Sequence, residues 1–400
     1  MQESANTIDF NYLERTVSEI TSMNELQEKL QKGEPLRIKY GVDVTAPFLH
    51  LGHAVNLWLM RHFQEKGHKV VFLIGDFTTR IGDPTGKSKT RKEIDRAEIE
   101  ANAEDFINQV KTILIDDPSV FEIRRNSEWF ENMPTGEFLS LLSMVTHAKL
   151  ISRDMFQARI SKNQEIHMHE MLYPILQGYD SYMLKSDLTI VGSDQLFNEL
   201  LGRFYQERFN QPPQVVVTTK ITPGIDGKEK QSKSLGNYIA ISDTARDKYG
   251  KAMSLPDELI CEYLTVYTDM PIDKINEFNS GIVNGRENPI IAKKALAKAL
   301  VSKYHGPDVA NQEEEWFKNA FSKKSRPEDL QEVQIANSTS IVDIIKECVP
   351  DQSKSNIRRL IEQGGVSINE SRISSIDQPL SISSGDTIKI GKTKWFKLMK

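Results

Sequence analysis

His50, Leu51, Gly52 and His53 set two imidazoles three residues apart, where an apolar strand pattern gives way to a helical one. A helix start presents unpaired N–H groups and the positive end of its dipole, so it attracts phosphate. Two imidazoles at that spacing share one face and can donate to phosphate oxygens. Gly52 between them leaves room for a flat base against the backbone. Capping is the commoner fate of histidines at such a place. A zinc site is the poorer reading, because no Glu or third ligand stands at metalloprotease spacing. About 180 residues later comes Lys230-Gln231-Ser232-Lys233-Ser234, on a polar stretch bearing Gly224, Gly227 and Gly236. Two lysines three apart on a mobile surface loop can close over a polyphosphate and neutralise charge as it is transferred. Taken singly, a Lys-Ser loop is more often solvated decoration. The stretch GDPTGKS imitates a phosphate-binding GxxxxGKS loop, but that loop needs glycine where Ile81 stands.

These groups need a scaffold, and the pattern around them supplies one. In residues 36–43, Ile38, Tyr40 and Val42 alternate with Arg37, Lys39 and Gly41, which predicts a strand. After a turn at Pro47, Val55, Leu59, Met60 and Phe63 recur at helical spacing, and Gly67 reads as the C-cap. The continuous apolar run of residues 68–76 suits a parallel strand buried on both faces. Strand, helix and strand make a βαβ unit with a right-handed crossover. Helical patterns run from about 94 to 182, residues 187–195 and 214–221 predict two more strands, and helices return from 242 to about 321. Residues 322–330, SKKSRPEDL, are the best linker. From 338 a small module reads as two helices followed by short strands.

Composition narrows the class. The 400 residues suit two or three domains, and 38% hydrophobic with 27% charged residues describes an ordinary folded chain. Mean hydropathy is −0.45. No apolar run approaches the roughly 18 residues of a membrane span, and the polar start lacks a signal-peptide layout, so a cytoplasmic location is expected. Cys261 and Cys348 have no partner spacing, which argues against a Cys-rich zinc site and a disulfide framework. The net charge of −5 is uneven. Residues 338–400 carry ten Lys/Arg against seven Asp/Glu, hence +3, and the rest carries −8. A basic tail on an acidic body hints at a polyanion partner.

The histidine turn and the KxSKS loop, at this separation and on either side of a sheet, form the signature layout of class I aminoacyl-tRNA synthetases, which the chain resembles. GDFTTRIGDPTGKSKTR from Gly75, YPILQGYDS from Tyr173 and GSDQLFN from Gly192 sharpen the likeness. They resemble the tyrosyl-tRNA synthetases, and more closely the bacterial branch with a KMSKS-like loop. The resemblance covers nearly the whole chain. It implies an α/β Rossmann-type parallel sheet over about 33–240 with a helical insertion near 125–185, through which family members pair as homodimers. The implied domains are a catalytic domain at 1–240, a helical anticodon-side domain at 241–322, a linker at 323–337 and a small α+β S4 RNA-binding domain at 338–400. It further implies ATP, brought with Mg²⁺ as a substrate complex and no protein-ligated metal, tyrosine, and tRNA(Tyr) as partners, with no membrane.

Roles follow residue by residue from the same resemblance. His50 and His53 match the histidines that stabilise the ATP phosphates, and Lys230 and Lys233 match the mobile-loop lysines. Gly52, Gly192, Asp194 and Lys233 belong to the ATP site, Asp194 at the ribose. Asp83, Tyr173 and Gln177 match the groups around the α-amino group of tyrosine, and Asp180 matches the acceptor of the phenol hydroxyl. Asp43, Thr78 and Gln195 line the same pocket. The chemistry agrees with this assignment. The amino acid brings its own carboxylate nucleophile, so the protein needs only positioning and charge stabilisation. In the tail, which resembles an S4 domain, Lys354, Arg358 and Arg359 fall on one helix beside Gly364 and Gly365, a face suited to RNA backbone.

The chain departs from the family in places. Val44 stands where proline is usual, Phe48 where a polar residue is, Val191 where glycine is, and Gln231 where methionine is. The first-strand position that often holds a tyrosine against the phenol holds Lys39, with Tyr40 beside it. The second phenol contact is therefore unassigned, and Lys39 could face solvent. Two other functions stay open: a specialised adenylating paralogue acting on tyrosine or an analogue outside translation, and a catalytically silent RNA-binding paralogue. The S4 tail speaks against the first, and the intact charged motifs speak against the second.

Overall fold

The structure is a computed structural model that describes residues 8–45, 48–84, 95–232, 235–322, 330–335, 340–350, 352–369, 371–373, 375–376, 382–391 and 394–399. The chain divides into two compact units, 1–310 and 311–400. In the first, strands β1 (Val17–Thr21), β2 (Arg37–Val42), β3 (Lys69–Ile74), β4 (Phe121–Arg125), β5 (Leu188–Gly192) and β6 (Val215–Thr219) form one sheet in the order β1-β6-β5-β2-β3-β4. All pairings are parallel except that of β1 with β6. The chain runs outward from β2 to β3 and β4, then returns to β5 on the other side of β2. That reversal is the switch point at which open α/β sheets form clefts beyond their strand C-termini.

Both faces are covered, as a continuous apolar strand requires. Ile38, Phe72 and Val217 pack with Leu57 and Phe63 of the helix Leu51–Gln64 and Phe106 of the helix Arg96–Lys111. Val71 and Leu73 face the other way, into Leu176 and Tyr179 of the helix Met168–Met183 and Leu201 and Tyr205 of the helix Leu196–Arg208. These last two helices approach closely because Gly178 and Gly202 leave no Cβ between them. A Cβ at Gly178 would meet the Leu201 backbone at 3.0 Å, and one at Gly202 the Ser181 hydroxyl at 2.5 Å.

Three sequence expectations need correction. The sheet is mixed and starts near residue 17, because β1 adds an antiparallel edge. The helical reading of 94–182 is broken by β4, an edge strand whose Glu122, Arg124 and Arg125 are half-buried, so no apolar run betrays it. The stretch 222–237 is anchored by buried polar side chains at Thr222, Gln231 and Asn237, and is not simply a mobile surface loop.

The second unit holds β7 (Gln331–Gln334), β8 (Val366–Ile368), β9 (Ser371–Ile373), β10 (Thr387–Ile390) and β11 (Lys394–Met399), ordered β7-β11-β10-β8-β9. β7, inside the stretch read as a linker, pairs in parallel with β11. The helices Ile341–Cys348 and Lys354–Glu362 pack Ile345, Ile357 and Ile361 onto Val366, Ile388 and Leu398.

Candidate active site

Four of the named polar residues, Asp43, Thr78, Tyr173 and Asp180, meet around the C-terminal ends of β2, β3 and β4. Asp43, the residue after β2, accepts from the Thr78 hydroxyl at 2.9 Å and from the Tyr173 hydroxyl at 3.1 Å. Gly75 permits this approach, since a Cβ there would meet Thr78 Oγ1 at 2.5 Å and Asp43 Oδ1 at 2.7 Å. Asn126 Nδ2 donates to Thr78 Oγ1 at 3.0 Å and reaches Asp180 Oδ2 at 3.4 Å. Trp129 Nε1 donates to Asp180 Oδ1 at 3.0 Å. Asp180 is thus a buried carboxyl gripped by two N–H donors. Burial pushes its pKa up to about 8, against the pull of the Lys39 ammonium and the two N–H groups. Burial, with Asp43 and Asp83 nearby, pushes the Tyr173 phenol well above its usual value.

The remaining pocket residues form a second string. Gln195 Nε2 donates to Asp83 at 2.8 Å, and Asn198 Nδ2 donates to Gln195 Oε1 at 3.0 Å and to Gln177 Oε1 at 2.8 Å. Gln177 Nε2 donates to Glu199 Oε1 at 2.8 Å. Lys39 ends the string, with Nζ 2.8 Å from Glu199 Oε2 and donating to Ser181 Oγ at 2.7 Å. Strand alternation explains its direction: Ile38 and Tyr40 enter the core on one face of β2, so Lys39 points to the other. Lys39 is buried, not solvent-facing, while Tyr40 lies against Phe72 and Asn56.

His50 is the N-cap of the helix Leu51–Gln64, as the residue pattern predicts. Its Nδ1 accepts from Gly52 N at 3.2 Å, and His53 Nδ1 accepts from His50 N at 3.3 Å. Capping and phosphate chemistry are therefore compatible. With each Nδ1 accepting, the ring hydrogen sits on Nε2, a donor that suits an anionic oxygen. The two rings are 4.0 Å apart. The chain after the lysine loop returns to this turn: Leu51 N donates to Ile239 O at 3.0 Å, and Phe48 stacks on Tyr238 at 5.3 Å. Lys230 Nζ lies 2.8 Å from Asp194 Oδ2, just beyond Gly192 at the end of β5. A Cβ at Gly192 would meet Asp194 Oδ1 at 2.9 Å, so a side chain there would push that carboxylate aside. Gln231 Nε2 donates to the Tyr267 hydroxyl at 2.7 Å, which ties the loop to the helix Ile260–Tyr267. Lys233 lies outside the described residues.

In the second unit, Lys354, Arg358 and Arg359 are exposed on the helix Lys354–Glu362, and Lys354 pairs with Asp343 at 2.7 Å. Beside this helix a groove of about 440 Å³ is lined by Ile345, Asn356, Arg359, Leu360, Ile390 and Lys394.

Comparison with known proteins shows the family. Residues 31–322 match the family of class I tRNA synthetases (W and Y). The tyrosine--tRNA ligase of Moorella thermoacetica is 41% identical over 391 residues, spanning 96% of this chain and 94% of that protein. The chain belongs to the tyrosine--tRNA ligase family. The family's Thermotoga maritima member is likewise 41% identical over 386 residues, spanning 96% of both chains. A crystal structure of a C-terminally truncated mitochondrial tyrosyl-tRNA synthetase from Aspergillus nidulans shares the fold, with a TM-score of 0.64 at 22% identity over 78% of this chain and 93% of that one.

Several residues of this cluster escaped the sequence reading. Asn126 and Trp129 hold Asp180 but lie fifty residues from it, at the turn after the unrecognised β4. Their signal was a polar-aromatic NSEW cluster after charged residues. Glu199 follows Gln195 by one helical turn, a spacing that could have marked it. Arg153 places its guanidinium 5.0 Å from the Phe197 ring, and its charge is felt by Asp83, Tyr173 and Asp194 while burial lowers its pKa.

Proposed function

We propose that this chain activates tyrosine with ATP and transfers it through tyrosyl-adenylate to tRNA(Tyr). The observation that carries the reading is the buried Asp180, held by Trp129 and Asn126 beside the polar cluster at the C-terminal ends of the sheet strands. A buried carboxyl with such supports is suited to one phenol hydroxyl. Asp43, Thr78, Asp83, Tyr173, Gln177 and Gln195 form the rest of the tyrosine pocket, with the acceptors of Asp83, Tyr173 and Gln177 around the ammonium. Neither a paralogue outside translation nor a silent RNA-binding one draws support from the relatives, which are tyrosine--tRNA ligases over nearly their whole length. Tyrosine-dependent ATP–pyrophosphate exchange across the twenty amino acids, with and without tRNA(Tyr), tests the proposal. Exchange with another amino acid alone would refute it.

In the reaction the tyrosine carboxylate attacks the α-phosphorus. A new P–O bond forms as the bond to the β-phosphate oxygen breaks, and pyrophosphate leaves. No protein base is needed. Mg²⁺ enters with ATP as part of the substrate. His50 and His53 supply Nε2–H donors to phosphate oxygens at a helix N-terminus, where the dipole favours negative charge. Gly52 faces the adenine, and Gly192 and Asp194 hold the ribose. The Asp194 oxygen that accepts from Lys230 is then wanted by ribose, so ATP binding exchanges that ion pair and releases the lysine toward the phosphates. Lys233 matches the second lysine that the family brings to the phosphates.

His50→Ala or Lys233→Ala should lower adenylate formation by roughly 10²–10³, the usual loss on removing one transition-state donor. Affinity for tyrosine should change far less, because these groups act on charge that develops during transfer. Rapid-quench measurement of adenylate formation separates the two. An unchanged rate with weakened tyrosine binding would contradict the assignment.

The domain reading is part of the proposal: catalysis in 1–240 with an insertion near 125–185, an anticodon-side domain at 241–322 and an S4 module at 338–400 whose Lys354, Arg358 and Arg359 grip tRNA. The exposed Leu139, Ile160 and Met168, on helices between 135 and 183, support a homodimer through the insertion. Sedimentation should then report twice the 45.6 kDa chain mass. Among the described residues no helix is long and apolar enough to cross a membrane. A cytoplasmic location fits this reading.

A further inference from the structure

The Lys39–Glu199 pair has no role in the mechanism just given, yet it is a buried ion pair in the pocket wall. Its two side chains are 2% and 1% exposed. Such pairs are poor devices for stability, because two well-packed apolar side chains would serve the fold as well. Its contacts reach three elements. Lys39 stands on β2, Ser181 and Gln177 on the helix Met168–Met183, and Glu199 and Asn198 on the helix Leu196–Arg208. Gln214 Nε2 donates to the same Glu199 oxygen at 2.8 Å.

The direction of the hydrogen bonds carries the argument. A carboxylate only accepts, so Glu199 forces Gln177 to turn its NH₂ inward and its carbonyl oxygen elsewhere. Asn198 Nδ2 meets that oxygen, and it also meets Gln195 Oε1. Gln195 must then present its NH₂ to Asp83. Asn198 satisfies both glutamines while its own Oδ1, fully buried, has no partner among the described residues. Flipping Asn198 would place that oxygen against two glutamine carbonyls. The amide orientations are therefore imposed from both ends of the string, Glu199 setting Gln177 and Asp83 setting Gln195, with Asn198 bridging the two.

We propose that the Lys39–Glu199 pair is a specificity-determining positioning pair that orients Gln177 and, through it, Asn198, while Asp83 holds Gln195 from the far end, so that acceptor oxygens and the Asp83 carboxylate meet the ammonium of bound tyrosine. The pair stands beside Ser181, the neighbour of the phenol acceptor Asp180, but the Lys39 and Glu199 charges act on Asp180 in opposite directions, so removing both together bears little on the phenol end. Lys39 thus takes the wall position for which the sequence offered no phenol contact, and it acts through other residues without touching substrate. The inference rests on the reading of this cleft as the tyrosine site.

The test uses the full chain and two ligands: tyrosine, and its des-amino analogue 3-(4-hydroxyphenyl)propionate. Lys39→Met combined with Glu199→Gln removes both charges together. The amide introduced by the second change can donate or accept, so Gln177 loses its imposed direction while Asp83 still holds Gln195. The expected result is a roughly 10- to 100-fold rise in the KM for tyrosine, as for a displaced positioning group, with the KM for ATP and the affinity for the des-amino analogue within about twofold of the parent. A merely structural pair would weaken both ligands together or neither, and either outcome overturns the proposal. If the double variant does not fold, Asn198→Ala cuts the string without touching a charge. It should show the same selective loss, and unchanged tyrosine affinity would again overturn the proposal. A parent chain that catalyses no tyrosine-dependent exchange would instead overturn the tyrosine pocket itself, and the pair's role with it.

Discussion

Asp180→Ala should cripple tyrosine activation and remove most of the preference for tyrosine over phenylalanine, with ATP binding intact. Leaving a buried hydrogen-bonding group unsatisfied costs roughly 1–3 kcal/mol, or about 5- to 150-fold in kcat/KM. In the variant, Trp129 Nε1 and Asn126 Nδ2 also lose an acceptor, which adds to the loss. A pocket built around a hydroxyl rejects the analogue that lacks it, because its buried polar groups go unpaired. Tyrosyl-tRNA synthetase is itself the standing example, at about 10⁵ against phenylalanine, a figure that belongs to the enzyme class and not to this chain in particular. Pyrophosphate exchange with the two amino acids gives the ratio directly. A variant that kept the parent's preference would show that another group reads the hydroxyl.

Asp180→Asn adds a pH arm. The folded carboxyl holds its proton up to about 8, whereas an unfolded aspartate releases it near 3.9. Between those values the folded chain binds the extra proton, so this group's contribution to stability falls as pH rises through the window. The asparagine variant lacks that slope. Its melting temperature relative to the parent should therefore improve from pH 5 to pH 8, and a constant difference would mean that Asp180 is ionised throughout.

The parts legible in the sequence were those whose signal is local. β2, β3, β5 and β6 are short apolar or alternating runs with sharp ends, and the His50–His53 turn sits on a helix start that any propensity argument finds. What escaped depends on partners far along the chain. β4 is a charged edge strand whose existence rests on pairing with β3, fifty residues earlier. Lys39 looked solvent-facing because lysine usually is, and only Glu199, 160 residues later, makes its burial tolerable. Gln231 looked like a substitution in a mobile loop. Its partners Thr222 and Tyr267 turn it into a buried anchor, with Nε2 2.7 Å from the Tyr267 hydroxyl. Polar groups are placed by complementarity across the fold, and periodicity carries no record of that.

The two halves of the reaction should separate when the tail is removed. Every candidate activation residue lies at or before Lys233, inside the unit 1–310, which has its own core. The tail instead carries a charge of +3 and the exposed Lys354, Arg358 and Arg359. Because β7 pairs with β11, a cut at 338 would strip a strand of its partner, so the variant to make ends at residue 322. It should form tyrosyl-adenylate at nearly the parent rate and lose most of its charging of tRNA(Tyr). Contacts to RNA phosphates release counterions, so charging by the parent should also fall steeply between about 50 and 200 mM salt, while pyrophosphate exchange should fall much less. Both activities are to be measured on one preparation, after its folding and oligomeric state are checked. Equal loss of both would mean that the tail supports the catalytic fold. Full retention of charging would mean that the basic helix face does not hold tRNA, and that the grip lies on the first unit, whose remaining net charge is negative. That unit would then need a local basic surface to overcome its overall repulsion of RNA, and the helices after residue 245 would be the place to look for it.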